Sequence, residues 1–75
     1  MNERDPRMDP QHGDVLRGAR IIRTVNYRSG CVVNYDSTPV GVRGRKYSGA
    51  IQLVTEWRKW ARSAIVIALG EVSAG

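Results

Sequence analysis

Residues 52–69 read QLVTEWRKWARSAIVIAL, and the period of their apolar positions decides the fold class. Ala50, Leu53, Trp57, Trp60, Ala64 and Ile67 recur at alternating spacings of three and four, the arithmetic of one long amphipathic helix. Continuing that helix past Arg62, however, sets Val66 beside Lys59 and Arg62 on the charged face. Ile65, Val66 and Ile67 are β-branched throughout and bounded by Ser63 and Gly70, the composition of a buried strand. The stretch is therefore expected to divide into a helix of about three turns over 53–62 and a last strand over 64–69. Glu56 near the helix start, with Arg58, Lys59 and Arg62 toward its end, suits the helix dipole.

Working outward, the clearest local signal is a hairpin over 19–36. A three-residue loop of Arg28, Ser29 and Gly30, with Gly30 left-handed, pairs Tyr27 with Cys31, Val25 with Val33 and Arg23 with Tyr35. These residues and Ile21 then share one mostly apolar face. A two-residue loop of Ser29 and Gly30 mixes polar and apolar side chains on both faces, so the longer loop is expected. After Asp36, the residues Pro39, Gly41 and Gly44 predict a mobile loop over 37–44. Tyr47, Gly49 and Ile51 then alternate with Lys46, Ser48 and Ala50, the pattern of a strand over 45–51. Val15 and Leu16, following a turn of Pro10 and Gly13, supply a short first strand. Residues 1–12 hold two Asp-Pro pairs and no apolar period, and they are expected as a disordered leader. Residues 13–70 then form one small domain and 71–75 a flexible tail.

The resulting order is short strand, long hairpin, loop, strand, helix, last strand. It resembles the SH3-like small barrels, in which a helical turn precedes the fifth strand. The opening Pro10, Gly13, Asp14, Val15 and Leu16 is similar to the entry of KOW and Tudor-type barrels. With Arg23-Thr24-Val25, Val33-Asn34-Tyr35 and Trp57-Arg58-Lys59-Trp60-Ala61, the chain also resembles short phage and prophage proteins of unknown role. The resemblance covers roughly 10–70 and implies a mainly β fold: a five-stranded small barrel with one enlarged helix before the last strand.

Charge is the main functional signal. The 75 residues carry a formal +5, but residues 17–62 hold ten basic residues against Asp36 and Glu56, a net +8. Such a body points to a polyanion or an acidic protein surface. Arg43, Arg45 and Lys46 with Arg28 form the first candidate phosphate-binding set, and Arg58 and Arg62 extend it along the helix. Tyr27, Tyr35, Tyr47 and Trp60 are candidates for base stacking or protein contact, whereas Trp57 is expected in the core. The favoured reading is a non-catalytic basic module that binds nucleic acid with little sequence preference. Its alternative is a phage-type accessory or inhibitor protein that docks on a host protein or defence complex.

Other classes find little support in the sequence. There is no phosphate loop or dinucleotide fingerprint, and Asp36 and Glu56 have no partner carboxylate at a recognisable spacing. Cys31 is expected in the core rather than as a nucleophile, because His12 alone could serve it and lies in the leader. No cofactor or metal is expected. The longest apolar run, over 64–69, is far short of the roughly twenty residues of a membrane span, and the start lacks a secretion-signal core. A cytoplasmic protein follows, and an exposed edge strand would allow a homodimer.

Overall fold

The computed structural model describes residues 4–41 and 46–70. Five strands and one helix follow in the order β1 (Val15–Arg17), β2 (Ile21–Ser29), β3 (Val32–Pro39), β4 (Tyr47–Leu53), α1 (Val54–Ala61) and β5 (Ile65–Ala68). The strands form one antiparallel sheet in the order β4-β3-β2-β1-β5. The expected division of 52–69 into helix and strand is what the chain does.

The sheet is open, not closed into a barrel: β4 and β5 are its two edges. The chain must therefore cross the whole sheet between β4 and β5. Five strands span roughly 19 Å, and eight helical residues with a three-residue link reach roughly 22 Å. α1 consequently runs across one face, where Val54, Trp57 and Ala61 meet Leu16, Val25, Val33 and Tyr35. At eight residues α1 is shorter than the expected three turns. Leu53 stays extended and provides no side-chain cap, and the Val54 N–H is satisfied instead by the Cys31 carbonyl at 2.7 Å.

The hairpin loop also differs from expectation. Ser29 pairs with Val32, so the loop is Gly30 and Cys31, with only Gly30 at positive φ (58°), the sign pattern of a type II′ turn. Val25 faces Tyr35 and Arg23 faces Ser37, each shifted by two residues from the expected register. A shift of two leaves side chains on their expected face, which is why the core prediction survives the wrong loop. Asn26 is an extra residue between Val25 and Tyr27, and beyond it the alternation inverts. Tyr27 then pairs with Asn34, and Cys31 is exposed in the turn instead of packed in the core.

β3 and β4 also extend further than expected, through Pro39 and Leu53. Pro39 pairs with Ile21 of β2 but lies beyond the start of β4, where its missing N–H costs no ladder bond.

Residues 4–12, expected to be a leader without fixed structure, lie against the core. Pro10 is fully buried and Pro6 is buried. Pro6 accepts a hydrogen bond from Trp57 Nε1 at 3.0 Å, and the Met8 carbonyl accepts one from Arg58 Nε at 2.8 Å. Prolines bury surface with almost no side-chain entropy to lose, so a segment without aliphatic residues can still be ordered. The completely buried Asp14 secures it: its carboxylate takes two bonds from Arg4 and one each from the N–H groups of Gln11 and Gly70, both at 2.7 Å.

Candidate nucleic-acid interface

Every acid among the described residues has a basic partner within 4.0 Å: Asp5 with Arg7, Asp9 with Arg28, Asp14 with Arg4, Asp36 with Lys46 and Glu56 with Lys59. Arg17, Arg20, Arg23, Arg58 and Arg62 have no carboxylate partner among these residues. Two of the five are engaged in other ways. Arg58 donates to Met8, and Arg23 lies with its guanidinium carbon 4.4 Å from the Tyr35 ring centroid and 4.2 Å from that of Trp60. The exposed cations left over are Arg17, Arg20 and Arg62.

The fold gathers these three at one end of the molecule. Arg17 ends β1 and Arg20 precedes β2, joined by a turn in which the Gly18 N–H bonds the Ile21 carbonyl at 2.8 Å. Gly18 approaches Trp60 closely there, since a Cβ at this position would lie 3.1 Å from the Trp60 ring, a contact tight enough to push on the indole. Packing of Gly18 on Trp60 draws the end of α1 toward the turn. Arg17, Gly18, Ala19, Ser63 and Ile65 accordingly line one surface depression of about 300 Å³. A second groove of about 440 Å³ runs between α1 and the N-terminal segment, lined by Asp5, Arg7, Met8, Thr55, Arg58, Lys59 and Arg62. Arg62 lines the second depression and the next residue, Ser63, lines the first. Arg7, Arg58, Lys59 and Arg62 of the one and Arg17 of the other, with Arg20 in the turn after Arg17, make up the candidate basic track.

The sequence-predicted residues divide over this geometry. Arg58 and Arg62 are on the track. Arg28 is not: it lies at the far end of the β2–β3 hairpin, held by Asp9 and the Gly30 carbonyl. Ile21 pairs with Pro39 at one end of that hairpin and Ser29 with Val32 at the other, so Arg28 and Arg20 are separated by roughly 27 Å of strand. Lys46 is exposed next to β4 and 4.0 Å from Asp36. Arg43 and Arg45 lie outside the described residues. The Val40 N–H bonds the Arg20 carbonyl at 3.1 Å, which brings the chain leading to them up to the Arg20 turn. Arg7, Arg17 and Arg20 were missed, though Arg17-Gly-Ala-Arg20 carried a signal: two cations flanking a tight turn next to an apolar strand.

Of the aromatic candidates, Tyr27 and Tyr47 are exposed, whereas Tyr35 is buried. Trp60 is half-buried among Gly18, Trp57 and Arg23, its ring 5.3 Å from that of Trp57. Arg23 also donates to Gln52 Oε1 at 3.2 Å. Burial pushes the Arg23 pKa down from its ordinary value, and Tyr35 opposes the shift. The guanidinium stays charged and is stabilised by the ring faces in place of water.

Among the described residues no cluster of three His, Cys, Asp or Glu side chains is arranged to hold a metal ion, and no helix is long and apolar enough to cross a membrane. No protein-family model, curated protein or solved structure matches the chain.

Proposed function

We propose that this protein is a non-catalytic module that binds nucleic acid through its phosphates along the track from Arg7 and Arg58 to Arg62, Arg17 and Arg20. The supporting observation is the lack of a carboxylate partner for the exposed Arg17, Arg20 and Arg62 among the described residues, combined with the lining of neighbouring surface depressions by the consecutive residues Arg62 and Ser63. Cations that are not internally neutralised can displace counterions from a phosphate backbone, which supplies affinity independent of sequence.

Titration of a labelled duplex and a labelled single strand across a salt series tests this reading. Affinity is expected to fall steeply and linearly in log-log form, with a slope of roughly −4 to −5 on duplex if about five phosphates are engaged. Absence of binding at low salt, or binding insensitive to salt, overturns it.

A second reading has its own support. Tyr27, Ile51 and Leu53 are exposed, and Ile51 and Leu53 pair in register with Asn34 and Val32 of β3. This apolar patch at the β4 edge fits an accessory protein that docks on a host protein. Its expected signature is a stoichiometric complex that survives nuclease treatment and is lost in Ile51→Glu.

A further inference from the structure

The groove between α1 and the N-terminal segment has two unlike walls. On the helix side Thr55, Arg58, Lys59 and Arg62 recur at spacings of three and four, and Arg62 keeps helical dihedrals, so all four share one flank. Arg58 is anchored by its Nε to the Met8 carbonyl. Its terminal amino groups, and the whole guanidinium of Arg62, have no hydrogen-bond acceptor among the described residues. On the other side, residues 5–9 close a turn in which the N–H groups of Met8 and Asp9 donate to the Asp5 carbonyl at 2.9 and 2.8 Å. Asp5 and Arg7 of this turn pair with each other. Met8 is the apolar element of the groove, and its side chain is more than half exposed. The turn is fastened to the core by the bond from Trp57 Nε1 to the Pro6 carbonyl at 3.0 Å and by the bonds of Arg4 to the buried Asp14.

We infer that this groove is a site for unpaired nucleotides, with phosphates on Arg58 and Arg62, a base face against the Met8 thioether, and single strands preferred over duplex. The inference rests on the nucleic-acid reading above and names its substrate class. Size sets one constraint. The flank from Thr55 to Arg62 is roughly 10 Å long, the length of two or three stacked nucleotides. A volume of about 440 Å³ is that of a small-ligand pocket, not of a seat for a duplex. The N-terminal segment sets another. A bare helix, about 10–12 Å across with its side chains, just fills the roughly 12 Å major groove of DNA. α1 carries residues 5–9 along its basic flank, so the two together are too wide to enter. Duplex can then meet this flank only through its outer phosphates, because stacking covers its base faces. An unpaired base has its faces open, and a polarizable thioether against an aromatic ring is a favourable contact. The apolar methionine and the two arginines thus match the two halves of a nucleotide.

Fluorescence anisotropy with the full chain and three labelled probes of about twelve nucleotides tests the inference. The probes are a mixed-sequence single strand, its duplex, and a strand of the same charge made of abasic sites. At equal salt the single strand is expected to bind roughly tenfold more tightly than the duplex, and the abasic strand about three- to tenfold more weakly than the strand with bases. Met8→Ala is expected to abolish the difference between these two strands and leave the salt slope unchanged, since no cation is removed. Duplex bound as tightly as single strand, or abasic and base-bearing strands bound alike, overturns the inference while leaving phosphate binding in place. A Met8→Ala protein, folded by circular dichroism, that still prefers bases overturns it as well. Failure of all three probes to bind at low salt removes the nucleic-acid reading with it. The first two comparisons use the unaltered chain, so they decide the matter even if Met8→Ala unfastens the N-terminal segment.

Discussion

The indole N–H of Trp57 donates to the carbonyl of Pro6 across 51 positions of sequence, at 3.0 Å. It joins the largest fully buried side chain of the core to a segment that has no aliphatic period of its own. Trp57→Phe keeps most of the ring volume but leaves the Pro6 carbonyl without its donor. The expected cost is about 1–3 kcal/mol from that orphaned group. Urea unfolding measures the cost, and hydrogen exchange is expected to show loss of protection in residues 5–9 before the sheet. Protection unchanged in that segment would mean the bond does not hold it.

Asp14 is completely buried and accepts four hydrogen bonds, two of them from Arg4. Asp14→Asn leaves the Arg4 guanidinium without its counter-charge, and breaking a buried pair in this way costs about 3–5 kcal/mol. For so small a domain this approaches the whole stability. Far-UV circular dichroism at 25 °C is expected to show substantial unfolding; a fully folded variant would contradict the assignment.

Gly70 is set by space, not by turn geometry. A Cβ there would fall 1.8 Å from the His12 carbonyl oxygen, and backbone cannot move aside as a side-chain tip can. Gly70→Ala is expected to cost about 1–3 kcal/mol by overpacking and to displace the Gly70 N–H from Asp14. The thermal midpoint should fall accordingly, whereas Gly41→Ala, which meets no atom within 4 Å, tests strain from positive φ alone.

Asp36 provides a pH dependence. The Asn26 amide, the Gly49 N–H and nearby Lys46 hold its carboxyl below the ordinary value of 3.8. A carboxylate depressed in the folded state adds stability that is fully present above its unfolded pKa and is lost as pH falls through the folded value. The Asp36 contribution should therefore be constant above about pH 5 and disappear below the ordinary carboxylate range. Asp5, lowered by the backbone and side chain of Arg7, acts in the same direction. Asp36→Asn should flatten the acid limb of a stability profile, and a profile of unchanged shape would rule out this cause.

The proposed nucleic-acid binding is expected to distinguish the two ends of the β2–β3 hairpin. Arg17→Ala, Arg20→Ala and Arg62→Ala in combination should reduce the salt slope by about 3, one for each phosphate contact. Arg28→Ala should leave the slope unchanged, because Arg28 lies at the far end of the β2–β3 hairpin from the track. Equal effects from both variants would place the contacts elsewhere.

The legible parts of this chain were those governed by side-chain period. The switch at Arg62 from a 3.6-residue to a two-residue period located α1 and β5 within a residue or two, and alternation along β2 and β3 placed Val25, Val33 and Tyr35 in the core. The hairpin loop was missed because the bulge at Asn26 hides it: from Val25 back to Ile21 the register differs from the expected one by two residues and so gives the same faces, while only the residues next to the loop differ by three. The Cys31 carbonyl's bond to Val54, a contact between remote segments, is equally invisible to local periodicity. The order of residues 4–12 was hidden for a similar reason, since Pro6 and Pro10 acquire value only once Trp57 and Asp14 are in place. The basic site was half legible: Arg58 and Arg62 stood out by composition, but which cations remain available depends on ion pairs such as Arg28 with Asp9, 19 positions apart.

The carboxylate that takes hydrogen bonds from Arg4 and Gly70 also governs how the molecule responds to tension. Val15 of β1 pairs with Ala68 of β5, so the two strands leave the sheet at the same end and in opposite chain directions. A pull on residues 4 and 70 therefore loads the β1–β5 bonds one after another, like teeth of a zip, and not all at once in shear. Asp14 lies at the mouth of that zip and is the latch. Force spectroscopy through these positions should record one low-force opening, and Asp14→Ala should lower even that threshold.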